Sequence, residues 1–69
     1  MLSIVETSKG YVKVTTNKLH NENTFETMVF PCDSEGNIKN FLEMDVKRYN
    51  NRRAANIGHR VIVKKWEVR

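Results

Sequence analysis

A chain of 69 residues with 12 Lys and Arg against 8 Asp and Glu, a net charge of +4, has room for one small domain. A chain of this size buries only about 60% of the surface its unfolded form exposes, which excludes two-domain enzymes, large cofactor folds and any deep substrate chamber. Its one cysteine, Cys32, excludes a disulfide within the chain, and no run approaches the roughly 20 apolar residues that span a bilayer.

The opening residues Met1-Leu2-Ser3-Ile4-Val5-Glu6 carry no basic start and no long apolar run, so they do not read as a secretory signal. A lone thiol suits a reducing setting, and the cytoplasm is expected. Charged residues are 29% and hydrophobic ones 39%, with the apolar residues clustered and periodic, as in a folded chain. One domain over 1–69 is expected, with strands within 2–46 and a helix over about 51–66.

Leu2 to Thr7 is a β-prone run, and Ser8-Lys9-Gly10 has the composition of a turn. Tyr11 to Thr16 alternates, with Val12 and Val14 on one face and Tyr11, Lys13 and Thr15 on the other, the period of a half-buried strand. These two runs predict a hairpin. Asn17 to Asn23 is polar and reads as a loop. Thr24 to Phe30 is apolar on both faces, Phe25 and Val29 on one and Met28 and Phe30 on the other, which predicts a central strand ended by Pro31. Asp33 to Asn37 is a turn by composition. After it, Ile38 to Phe41 reverses direction, and Leu42, Met44 and Val46 alternate with Glu43, Asp45 and Lys47, so extended chain is expected to continue to about residue 46.

Asn50 or Asn51 can cap a helix. From Arg52 to about Trp66 the period is helical: Ala55, Gly58, His59, Ile62 and Trp66 fall on one stripe, flanked by Ala54 and Val61, with Arg53, Asn56, Arg60 and Lys64 opposite. Ile57 and Val63 do not obey the pattern. Glycine inside a helix costs about 1 kcal/mol relative to Ala, and Gly58 on the apolar stripe predicts a close approach by a strand bearing Phe or Met. The elements sum to an α+β fold: a three- or four-stranded antiparallel sheet with one C-terminal helix packed on one face. The expected core is Val12, Val14, Phe25, Met28, Val29, Phe30, Ala55, Ile62 and Trp66.

Glu26-Thr27-Met28-Val29-Phe30, then Asp33…Gly36-Asn37, Arg48-Tyr49-Asn50, Ala55…Gly58-His59 and Trp66 stand in an order that resembles a group of small phage and prophage proteins. Their pattern runs E-T-M-V-F, a Gly turn, R-Y, A-x-x-G-H and a late Trp. The resemblance covers residues 25 to 66 and implies a phage or prophage context; it carries no chemistry with it. The chain departs from the group at the helix start, where Arg52 and Arg53 replace acidic residues.

Charge is strongly divided. Residues 1–46 hold four Lys and seven acids, a balance of −3; residues 47–69 hold eight Lys and Arg and one acid, Glu67, a balance of +7. The basic set is Lys47, Arg48, Arg52, Arg53, Arg60, Lys64, Lys65 and Arg69. A helix N-terminus with free N–H groups suits an anion, and positive side chains in that first turn are unfavourable unless an anion offsets them. Arg48, Tyr49, Arg52, Arg53, Arg60 and Lys64 are therefore the candidate anion- or partner-binding residues. The plainer alternative is a solvated helix face whose cations answer the acidic half of the chain.

Other chemistry finds little footing. Cys32, His20 and His59 have no partner at ligand spacing, and Asp33 to Asn37 lacks the spaced acids and closing Glu of a calcium loop. A nucleophile and base, or paired carboxylates, are not placed together. His59 is expected to pack with one ring nitrogen on a backbone carbonyl, and Trp66 to belong to the core. No cofactor, metal, membrane contact or catalytic site is expected. The expected function is a non-catalytic protein-interaction module of phage or prophage type; the alternative is a nucleic-acid-binding protein that uses the basic helix without a helix-turn-helix or other reading motif. A homodimer through the sheet face opposite the helix is expected if that face is as apolar as Phe25 and Val29 suggest.

Overall fold

The computed structural model describes residues 1–20 and 23–68. Asn21 and Glu22 of the polar loop, and the basic Arg69, lie outside the described residues. Four strands, β1 (Leu2–Thr7), β2 (Gly10–Lys18), β3 (Phe25–Cys32) and β4 (Asp45–Tyr49), precede one helix, α1 (Arg52–Glu67). The sheet is an antiparallel meander in the order β1-β2-β3-β4, with α1 across one face. The α+β architecture thus has the four-stranded form.

Register decides which side chains meet the helix. Val14 pairs with both Ser3 and Val29, Val12 with Val5 and Pro31, and Thr16 with Thr27. This parity sends Val5, Val12, Val14, Thr27 and Val29 toward α1, where all are buried. From the helix, Ala55, His59 and Ile62 enter the same layer, and Val63 and Trp66 pack against its edge. Burying a side chain of the size of Ile62 stabilises by about 2 kcal/mol.

Several expectations change. Met28 lies on the face away from the helix and is only half-buried, and Trp66 is half-buried. Val61 is exposed while Val63 packs, because Val63 lies about 80° from the centre of the buried stripe and Val61 about 120°. Phe25 and Val29 face α1, so they do not furnish the open face with its apolar side chains; Leu2, Ile4, Met28, Phe30 and Val46 do, by register.

The largest change falls between residues 38 and 49. Ile38 makes one isolated bridge to Cys32, and the Lys39 N–H donates to Pro31 O at 2.9 Å. Asn40 Oδ1 then accepts the Leu42 N–H at 2.7 Å, an Asx turn that takes the chain off the ladder. Pairing resumes where Met44 N–H meets Val29 O, 2.7 Å, and the strand runs on to Tyr49, past the expected limit at 46. The turn before it is closed by Asp33, whose carboxylate accepts the N–H groups of Glu35 and Asn37 at 2.9 Å each. Gly36 at φ +86 fits this loop under Ile4, where a Cβ would lie 2.9 Å from the Ile4 Cδ1.

Candidate functional site

Asn51 is the helix cap, extended at φ −156, and its side chain accepts the Ala54 N–H at 2.8 Å. No acidic residue occupies the first turn, and Lys64 and Lys65 stand in the last. The helix therefore presents cations along its length.

The six candidate residues do not form one surface. Arg48 points to the open face of the sheet and donates from Nε to Glu26 Oε2 at 2.9 Å. Tyr49 turns inward and lies beneath Gly58, so the strand partner expected to carry Phe or Met carries Tyr instead. Arg52 places its guanidinium 5.3 Å from the centre of the Phe25 ring, a cation–π contact. Arg52, Arg53 and Arg60 do converge: with Asn56 and Ile57 they line an open depression of about 530 Å³. Arg53, Arg60 and Lys64 make no ion pair among the described residues, and the apolar Ile57 and Val61 beside them are 51% and 60% exposed. Lys65, in contrast, is engaged with Asp45 at 2.8 Å. That bond holds the Asp45 carboxyl below its usual range, and the Trp66 indole adds a further donor.

The arrangement around His59 escaped the sequence. Its Nδ1 is 2.6 Å from Thr16 Oγ1 and its Nε2 2.9 Å from Ser3 Oγ, and Thr16 Oγ1 is in turn 2.6 Å from Thr27 Oγ1. Both ring nitrogens meet hydroxyls, and neither meets the expected backbone carbonyl. Burial pushes the imidazole below its ordinary value, and the nearby amino group of Met1 adds to the effect. Position on the apolar stripe signalled burial of the ring, but only the pairing of β1 with β2 brings Ser3 and Thr16 to it. Beside the ring is an open cleft of about 530 Å³ edged by Ser3, Arg60, Lys64 and Glu67.

Beside the last turn of the helix, Trp66, Met44, Pro31 and Val12 line a smaller apolar cleft of about 260 Å³. Cys32 is fully buried in β3, and burial raises its pKa, with Asp33 acting in the same direction. Among the described residues, no group of three His, Cys, Asp or Glu side chains gathers to hold a metal, and no helix is long and apolar enough to cross a membrane.

No protein-family model, no curated protein and no solved structure matches this chain.

Proposed function

We propose that this protein is a non-catalytic interaction module that binds an acidic partner protein through the outer face of α1. One observation carries the reading: Arg53, Arg60 and Lys64, without ion pairs among the described residues, surround the exposed Ile57 and Val61. Cations alone suit any polyanion. Two bare β-branched side chains among them suit a partner that offers both carboxylates and apolar surface, because their burial then adds to the binding energy. The reading extends to a phage or prophage setting and the cytoplasm; the residue pattern of 25–66 and the single thiol support that part.

Nucleic-acid binding is the second reading, and a separate observation favours it. Arg52, Arg53 and Arg60 surround one depression with Asn56 at its side, and guanidinium groups grouped in this way match phosphate oxygens. Such binding would be led by phosphate contacts and would weaken steeply with salt.

One titration separates the two. Isotope-labelled protein is titrated with a leucine-containing acidic peptide and with a random-sequence DNA duplex, each at low and at moderate salt. The protein-interaction reading expects saturable amide shifts on residues 53–64 with the peptide that persist at moderate salt and vanish in Arg53→Glu/Arg60→Glu. Shifts with DNA alone would move the assignment to nucleic acid. Silence with both would overturn both.

A further inference from the structure

We propose that the open face of the sheet is covered by a second copy of this chain in a two-fold dimer, the Phe41 ring of each copy seated on the row Leu2–Thr15–Met28–Val46 of the other. A single helix covers only one face of the sheet. On the opposite face, Leu2 pairs with Thr15, Thr15 with Met28 and Met28 with Val46, so one row of side chains crosses all four strands. Leu2 is 59% exposed and Val46 41%. Next to this row, Phe41 stands edge-on to Phe30 with ring centres 5.9 Å apart and is itself 75% exposed. A row apolar at three of its four positions and exposed at both ends, beside a projecting aromatic ring, is an unusual surface for a monomer to leave in water.

Charge favours a second copy as the occupant. The strands send Glu6, Lys13, Glu26 and Arg48 to this face, two of each sign. Three of the four already have partners within the chain: Arg48 is paired with Glu26 at 2.9 Å, and Lys13 Nζ donates to Gly36 O at 3.1 Å. Two such faces meet without net repulsion and with few free charges to strip of water. The outer helix face is basic, and opposing it to its own copy would set cation against cation. An isologous contact also needs a surface that complements itself, and here the projecting ring and the flat row lie side by side, so one two-fold axis satisfies both at once. A standard interface takes about 800 Å² from each partner. That is about one-sixth of the 4857 Å² surface of this chain, the order of one broad side of a two-layer domain. The two sheets would stack about 10 Å apart, with both basic helices outward.

Light scattering and sedimentation equilibrium of the full chain, from micromolar to millimolar concentration, test the proposal. The mass should rise from 8.1 kDa to a plateau at twice that value. Phe41→Asp and Val46→Glu should each weaken the dimer by about tenfold or more, and Val61→Glu on the outer helix should leave it unchanged. In a dimer of mixed isotope labelling, the Phe41 ring and the Met28 methyl should show a cross-peak between copies. Phe41 lies in the loop before β4, so Phe41→Asp decides the matter if Val46→Glu does not fold. A constant 8.1 kDa into the millimolar range would overturn the proposal. So would a mass that climbs past the dimer without a plateau, the mark of head-to-tail assembly, or a dimer that lacks the Phe41–Met28 cross-peak.

Discussion

The Tyr49 ring fills the space that a side chain at Gly58 would need: a Cβ built there would overlap the phenol. Glycine stands mid-helix for a packing reason, and the helix gives up about 1 kcal/mol of intrinsic propensity at that position. Gly58→Ala should therefore destabilise the protein by about 1–3 kcal/mol, the usual range for overpacking, although Ala is the better helix former. In a Tyr49→Ala background the same change should become neutral or stabilising. Urea unfolding of the four proteins of this double-mutant cycle measures the coupling; additive effects would show that the ring and the glycine are independent.

His59 makes stability depend on pH in a stated direction. Burial depresses its pKa in the folded protein, so the folded state holds the ring neutral where the unfolded chain already binds a proton. The contribution is fully present above the unfolded value of about 6.5 and is lost as pH falls below it toward the lower folded value. The urea midpoint should rise between pH 5 and pH 7 in the native protein, and this rise should flatten in His59→Gln. An equal slope in both proteins would assign the effect to other groups.

The basic side chains should divide by face. Arg53→Glu/Arg60→Glu should change stability by no more than about 0.5 kcal/mol, since neither residue is ion-paired among the described residues, while abolishing the response to the acidic peptide. Arg48→Ala should cost at most about 1 kcal/mol, through its exposed pair with Glu26, and leave peptide binding intact. Loss of binding in Arg48→Ala, read by the same titration, would place the contact on the sheet instead.

Cys32 should behave as a structural thiol. It is fully buried and its pKa is raised, so little thiolate exists at neutral pH and reagents cannot reach it. Reaction with a colorimetric disulfide reagent should be slow in native buffer and immediate in denaturant. Rapid labelling of the folded protein would show that the β3 end opens readily.

Local pattern made most of the fold legible. Alternation marked β2, the Asp33–Asn37 turn marked the end of β3, which runs on through Pro31 to Cys32 rather than stopping before the proline, and the Asn51 cap and the Ala55–His59–Ile62 stripe marked the helix and its buried face. The 38–49 segment was misjudged because alternation at Leu42, Met44 and Val46 is the signal of a strand, whereas the Asn40 side chain diverts the chain before the ladder can form. The candidate site was legible as a charge imbalance and no further. Arg48 and Tyr49 are adjacent in the chain, yet strand pleating sends one to the open face and the other under the helix.

By itself, then, the sequence determined the elements, the division of charge and the buried helical stripe, since each follows from spacing within a few residues. Only the tertiary structure decided that Tyr49 answers Gly58, that Ser3 and Thr16 hold His59, and that Arg53, Arg60 and Lys64 remain without ion pairs among the described residues. The first two depend on strand register across residues far apart in the chain, where a shift of one position would turn every side chain to the other face; the third follows from the helix turning these residues away from the sheet.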